Sequence, residues 1–266
     1  MTRRVLIFLT PLLAVAAVVL ALALALAAGG ARDARAAGSS IVGKLSWLGQ
    51  SCFVLETAAG TRIVMDPIPK GLGYALPVGL KADAVTISHE HADHNNVGLL
   101  VNKPRVLRGL TADKKGWTKI DEKVKEVAVH SVGVYHDENR GADRGLNTVF
   151  LFEVGGMRIA HLGDLGHVLT DDQLSAIGSV DVVLVPVGGA FTIDARQATR
   201  VIDQLHPRLM VIPMHYKTDV LTVKELAGVD DFLTGKPNVR REAGNTIPLS
   251  TLKARPGTEI VVLGYK

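Results

Sequence analysis

The feature that most constrains this chain is a dense group of metal-ligand side chains directly after a short β-branched run. Residues 84–87 read Ala-Val-Thr-Ile, and positions 89–94 read His-Glu-His-Ala-Asp-His. Imidazole and carboxylate groups at this density suit a divalent ion such as zinc. Three histidines and a carboxylate are difficult to place in an apolar core, because buried polar groups need partners. The stretch therefore predicts a metal site at the end of a strand.

The first 36 residues resemble a targeting segment and not part of the fold. Arg3 and Arg4 precede an apolar run over positions 5–28, and positions 34–36 fit a small-x-small cleavage site. The run is long for a signal-peptide core and just long enough to span a bilayer. A cleaved signal peptide and an N-terminal membrane anchor are therefore equal alternatives. Both predict that residues 37–266 form an exported domain, either periplasmic or extracellular, or anchored to the outer face of the cytoplasmic membrane.

The net charge does not indicate nucleic-acid binding. The chain has 30 Lys and Arg against 26 Asp and Glu, a formal charge of +4. Four arginines and one aspartate belong to the first 36 residues, so 26 basic and 25 acidic side chains remain in the rest. A nucleic-acid-binding domain normally carries a basic face. No nucleic-acid partner is therefore expected, and the N-terminal segment is a candidate membrane tether.

Further ligand-type side chains follow other strand-like runs along the chain. These residues are Asp66, His136, Asp164 and His215. In a layered α/β fold, strand ends converge at one edge, where loops carry the chemistry and strands fix its position. Together with positions 89–94, five separate strand ends carry metal-ligand residue types. We expect them to form one site.

Some histidines have two interpretations. His130 and His136 both end strand-like segments, and we favour His136 as the ligand because an aspartate and a glycine-rich loop follow it. For His161, which lies three positions before Asp164, a role beside the site and a place in the core are equal alternatives.

Local patterns also predict helices outside the strands. Thr170 with Gln173, and Thr222 with Glu225, form capping-box patterns. They predict one helix to about position 177 and another towards position 232. Asn95 or Asn96 is predicted to cap a short helix over 97–101.

The order of these ligand-type residues resembles the metallo-β-lactamase-fold hydrolase superfamily over about residues 43–263. Within it, the chain is similar to the UlaG-like branch of zinc-dependent hydrolases. This second likeness rests on short sequence motifs at positions 135–138, 144–148, 161–167, 186–189 and 213–216. The resemblance implies an α/β fold of the four-layer αββα type, with two packed sheets, helices outside them and the site at one edge.

The resemblance also implies a ligand set for two divalent ions, with zinc expected and manganese or iron as alternatives. By position, one ion would be bound by His89, His91 and His136, and the other by Asp93, His94 and His215, with Asp164 bridging. Two close cations need an anionic bridge to offset their repulsion, which a carboxylate supplies.

The implied chemistry is hydrolysis of a small-molecule substrate by a hydroxide shared between the two ions, with a phosphodiester, a lactone or a related ester as the bond cleaved. Asp66 and Asp164 are the predicted catalytic residues, with Asp66 accepting a hydrogen bond from a ligand imidazole. Arg144, Asn147 and His167 are the predicted substrate contacts.

Two functions from other classes remain as alternatives. One is a membrane-tethered metal-binding scaffold without turnover, which the complete ligand set argues against. The other is a di-iron redox protein on the same fold, which would need an electron partner such as a flavin domain. Metal content and hydrolytic activity distinguish the three.

Overall fold

Two large β-sheets dominate the computed structural model, which describes residues 41–250 and 257–265. The predicted targeting segment, residues 1–36, lies outside the described residues. Within those residues, no helix combines the length and the apolar character that a bilayer crossing requires.

The first sheet contains six strands. They are β1 (Ile41–Gly49), β2 (Cys52–Thr57), β3 (Arg62–Met65), β4 (Ala84–Ile87), β5 (Arg105–Arg108) and β13 (Thr246–Ser250). Their order is β13-β1-β2-β3-β4-β5, antiparallel as far as β3 and parallel from β3 to β5. Because β3 and β4 are parallel neighbours, Asp66 and His89, which follow them, lie at the same edge.

The second sheet contains eight strands. They are β6 (Asp121–Val124), β7 (Val127–Tyr135), β8 (Leu146–Val154), β9 (Met157–His161), β10 (Val182–Pro186), β11 (Met210–Met214), β12 (Val239–Arg241) and β14 (Glu259–Val262). Their order is β12-β14-β11-β10-β9-β8-β7-β6. Pairing is parallel from β12 to β9 and antiparallel from β9 to β6. The carboxyl ends of β7, β9 and β11 consequently share one edge, where His136, Asp164 and His215 follow.

The core between the sheets follows from the two-residue period of the strands. In β2, Phe53 and Leu55 belong to the hydrophobic cluster shared by both sheets, whereas Cys52 and Val54 belong to a second cluster on the outer face of the first sheet. Strands β10 and β11 are buried at every position, as expected for parallel strands covered on both faces.

Three α-helices are present in the described residues. They are α1 (Asp171–Ile177), α2 (Ala195–Leu205) and α3 (Val229–Leu233). α1 contacts β7, α2 contacts β10, and α3 packs on α2. The predicted capping box of α1 is confirmed, because Thr170 and Gln173 exchange reciprocal side-chain to backbone hydrogen bonds. The predicted α/β class with two packed sheets is confirmed.

The helix predicted from Thr222 is wrong, because α3 begins only at Val229. Leu221 and Leu226 are buried in the outer cluster of the first sheet, and the Thr222 N–H donates to the Leu72 carbonyl at 3.0 Å. These tertiary contacts override the local capping pattern.

The outer face of the first sheet is covered, in the described part of the chain, by loops and a short 3₁₀ turn over Val97–Leu99. The predicted side-chain cap is absent. Asn96 occupies the N-cap position, but its side chain donates to the Ile68 carbonyl at 3.1 Å instead. The turn therefore replaces the short helix expected over 97–101.

Candidate metal centre

The seven predicted metal ligands come together where the ends of the two sheets meet. One group of ligand atoms is formed by His89, His91 and His136, and a second by Asp93, His94 and His215. Within each group, the ligand atoms lie within 4.8 Å of one another. These two groups correspond to the division that the resemblance implies, and a third group of Asp66, His89 and His94 connects them.

The Asp164 carboxylate lies between the two groups. Its Oδ2 is 3.2 Å from Nε2 of His94, 3.3 Å from Nε2 of His215 and 3.4 Å from Nε2 of His136. A fourth nitrogen, Nε2 of His89, lies 3.9 Å away. Burial opposes ionisation of Asp164, but the neighbouring imidazoles of His215 and His94 outweigh it and hold the pKa of the carboxyl well below its usual range. A buried anion thus faces four imidazole nitrogens.

The donor atoms fit divalent cations. Nε2 of His89 and Nδ1 of His91 face each other at 3.1 Å. Nε2 of His94 is buried and has no hydrogen-bond partner among the described residues, although it is directed at the Asp93 and Asp164 carboxylates. Neutral imidazoles and carboxylates are the ligand types that zinc and similar ions take. Burial lowers the pKa of His89 well below 6.5 and that of His136 in the same direction, so both present lone pairs at neutral pH.

Asp66 orients the His94 imidazole through a buried hydrogen bond. The residue is fully buried, and its Oδ2 accepts a hydrogen bond from Nδ1 of His94 at 3.0 Å. Ser88 donates to the same carboxylate through its N–H at 2.8 Å and its hydroxyl at 2.5 Å. The bond fixes the His94 tautomer and turns Nε2 towards Asp164. The predicted hydrogen bond is present, and it makes Asp66 a positioning residue rather than one that touches the reacting atoms.

Three further side chains near the ligands were missed in the sequence. The Ser51 hydroxyl donates to Oδ1 of Asp164 at 3.2 Å, Nε2 of Gln50 lies 3.4 Å from Nε2 of His215, and the Ser88 hydroxyl lies 2.9 Å from Nδ1 of His89. Gln50 and Ser51 form the tight connection between β1 and β2. They are 165 and 113 positions from their partners, so no local pattern could have identified them.

Asn147 has a different role from the predicted substrate contact. Its side chain is fully buried, its Nδ2 donates to the Leu162 carbonyl at 2.9 Å, and its Oδ1 accepts the Asp164 N–H at 3.2 Å. Gly163 approaches this amide so closely that a Cβ would lie 2.4 Å from Oδ1. Because both ends of the amide are engaged inside the protein, Asn147 holds the backbone that carries Asp164.

The substrate contact predicted for His167 is also corrected. Its Nδ1 donates to the Val168 carbonyl at 2.8 Å, and its Nε2 accepts the Tyr135 N–H at 3.1 Å. Burial lowers the pKa of this imidazole, which is consistent with the neutral tautomer that the two bonds require. With both nitrogens bound to backbone, His167 is structural.

The histidines with two interpretations, His130, His136 and His161, lie in different environments. His130 is half-buried outside the ligand cluster, with Nδ1 2.9 Å from Oδ1 of Asp121, whereas His136 lies in the cluster. His161 is fully buried and donates from Nε2 to the Ser51 carbonyl at 2.8 Å. It therefore supports the Ser51 backbone beside the centre.

Arg144 stands at the mouth of the site, close to His91. It lies on the β7–β8 loop, where Asp137 accepts four backbone N–H bonds, including that of Arg144 at 2.7 Å. Its guanidinium donates to the Ala190 carbonyl at 3.1 Å and lies 5.0 Å from the centre of the Phe191 ring. Arg144 is exposed, and its predicted substrate contact remains a prediction.

Comparison with known proteins agrees with this architecture. Residues 44–215 match the β-lactamase superfamily domain. A UPF0173 protein of Pyrococcus furiosus is 33% identical, the alignment covering 66% of this chain and 84% of the relative. A UPF0173 metal-dependent hydrolase of the same organism is 32% identical, with 66% and 85% covered.

Solved structures show the same likeness. A Thermotoga maritima protein described as a Zn-dependent hydrolase of the metallo-β-lactamase superfamily is 38% identical, with a TM-score of 0.65, and the match covers 83% of this chain and 97% of that one. A protein of Parabacteroides distasonis shares the fold at 16% identity, with a TM-score of 0.59 and 86% and 98% covered. The UlaG-like branch stays a prediction. The matched domain, the relatives and the His/Asp cluster together show that the chain belongs to the metallo-β-lactamase superfamily and is one of its metal-dependent hydrolases.

Proposed function

We propose that the chain is a dinuclear-metal hydrolase that acts on a small lactone, a related ester or a phosphodiester. The observation that supports this proposal is the position of Asp164, whose Oδ2 lies within 3.9 Å of imidazoles from both three-residue groups. A single anion in this position suits two cations better than one, because it reduces their mutual repulsion.

The chain's own residues divide the work of building the centre. When bound, divalent ions supply a water of lowered pKa and polarise the substrate oxygen. His89, His91 and His136 would hold one ion, and Asp93, His94 and His215 the other. Asp66 orients the His94 imidazole and Ser51 orients the Asp164 carboxylate. His91 and Asp93 are the more accessible ligands, so substrate reaches the centre from their side.

Metal analysis combined with a substrate panel tests the proposal. We expect about two divalent ions per chain, with zinc as the first choice and hydrolysis of at least one class among lactones, esters and phosphodiesters. Asp164→Asn should lose one ion and roughly 100-fold or more of the activity. Asp203→Asn, at an exposed position of α2, is the matched control. A metal-replete protein inert towards every class would support the scaffold alternative, and bound iron with visible absorbance would support the redox alternative.

We also propose that the domain is exported, with its N-terminal segment either cleaved or kept as a membrane anchor. The apolar run behind Arg3 and Arg4 supports this. Fractionation of cells that express the full chain, with and without residues 1–36, tests it. Retention of the full chain in the cytoplasm would contradict export, and the mass of the isolated protein distinguishes cleavage from anchoring.

A further inference from the structure

A cleft opens beside the metal centre between two surface loops. Its lining includes Glu90, His91, Leu110, Lys114, Arg144 and Leu146. The cleft measures about 190 Å³, below the roughly 300 Å³ at which ordinary ligand pockets begin. The space therefore fits a small molecule or one end of a larger one.

The fixed charges of this cleft are positive. Lys114 and Arg144 line it, and the one carboxylate among the lining residues, Glu90, is neutralised by Arg108 through two contacts of 2.7 Å. Arg144 makes one hydrogen bond to a carbonyl oxygen and carries no carboxylate partner among the described contacts. An unopposed pair of cations beside an accessible ligand such as His91 attracts an anion.

Both cations are carried on backbone segments that hydrogen bonds hold in place. The turn that carries Lys114 is closed by a hydrogen bond from the Lys114 N–H to the Thr111 carbonyl at 2.8 Å. An isolated β-bridge between Leu110 and Trp117 also closes it. The Trp117 indole N–H in turn donates to the Val134 carbonyl at 3.1 Å and the Asn147 carbonyl at 2.9 Å. The turn is therefore tied to β7 and β8, the same hairpin whose loop carries Arg144. The sequence gives no role for Trp117. In the structure it fixes the position of the Lys114 turn relative to the hairpin that carries Arg144.

We propose that Lys114 and Arg144 bind an anionic group of the substrate, a carboxylate or a phosphate monoester, while the metal centre attacks an ester or lactone bond a few atoms away. The proposal rests on the proposed hydrolytic function and narrows it to small substrates that carry a negative charge apart from the scissile bond. A guanidinium group can donate two parallel hydrogen bonds to such an oxyanion, and an ammonium group adds a compact positive charge.

A matched pair of esters tests this specificity on the metal-loaded full chain. Mono-4-nitrophenyl glutarate carries a free carboxylate, and 4-nitrophenyl butyrate does not. We expect a higher kcat/KM for the glutarate ester, and a discrimination ratio that falls roughly five- to tenfold in Lys114→Gln and in Arg144→Gln, mainly through KM. Arg144→Lys, which keeps the charge, should restore part of the ratio. Lys103→Gln, an exposed lysine outside the cleft lining, is the control and should keep it.

A second readout does not depend on turnover. Inorganic phosphate binding, measured by calorimetry on the metal-loaded protein, should weaken in the Lys114→Gln/Arg144→Gln double variant and persist in Lys103→Gln. Equal kcat/KM for both esters, together with unchanged phosphate affinity in the double variant, would refute anion binding by Lys114 and Arg144. The proposed hydrolytic function would be unaffected by that result. Weakened phosphate binding in a protein that cleaves no ester would retain the anion site and overturn the hydrolytic function.

Discussion

The carboxylate of Asp66 and the imidazole of His94 are both fully buried, and they are joined by a 3.0 Å hydrogen bond between Oδ2 and Nδ1. Asp66 has a left-handed backbone at φ 43° at the end of β3, and His94 belongs to the stretch that follows β4. Parallel pairing of these two strands places the carboxylate under the imidazole. One strand pair therefore fixes the direction of a ligand nitrogen before any metal binds.

The first prediction concerns this pair. Asp66→Asn should lower the zinc affinity of the centre roughly 10- to 100-fold, because an amide in place of the carboxylate weakens the bond that orients His94. Competition with a chromophoric chelator measures the affinity. Asp231→Asn, which removes an exposed carboxylate on α3, is the control. Equal affinity in wild type and Asp66→Asn would show that His94 is positioned without Asp66.

Asn147 gives the second prediction. Asn147→Ala should destabilise the metal-free protein by about 2–3 kcal/mol, because it deletes two buried hydrogen bonds and leaves the Leu162 carbonyl and the Asp164 N–H without partners. Chemical denaturation measures this loss, with exposed Asn139→Ala as the control. If Asn147 contacted only substrate, its replacement would change KM and leave the stability alone.

The third prediction concerns Gly166. A Cβ at this position would lie 2.2 Å from the carbonyl carbon of His136 and 2.3 Å from the Asp137 nitrogen. Gly166→Ala should therefore shift the His136 backbone, lowering stability by about 1–3 kcal/mol and weakening metal binding. Gly244→Ala is the matched control, since Gly244 is exposed, has no left-handed backbone, and an added Cβ would meet no atom within 4 Å. Thermal unfolding and metal titration check both effects, and identical behaviour of the two variants would refute the steric account.

A fourth prediction follows from the buried histidines that are not ligands. Burial lowers the pKa of His161 below its usual value of 6.5. The unfolded chain then takes up a proton near that pH while the folded protein does not, so stability falls as the pH drops below about 6.5. Unfolding free energies between pH 8 and pH 5.5 should show this decline, and His161→Gln, which retains a donor for the Ser51 carbonyl, should reduce the slope. Parallel slopes in the two proteins would contradict the assignment.

Much of the fold could be predicted because its signals are local. The apolar runs of β2, β10 and β11 and the capping box at Thr170 each depend on near neighbours in sequence. The failed helix at Thr222 has the same kind of signal, but Leu221 and Leu226 gain more by burial on the first sheet than a short helix would give them.

The sequence by itself determined the inventory of the centre: imidazoles and carboxylates at the ends of strands, in an order typical of the metallo-β-lactamase superfamily. Only the tertiary structure decided which neighbours support that inventory. Ser51, Gln50 and the Trp117 anchor act across sheets or between hairpins, and Asn147 and His167 turn inwards to backbone groups rather than outwards to substrate. The physical reason is that ligand chemistry belongs to the residue type, whereas hydrogen-bond partners depend on which strands lie side by side.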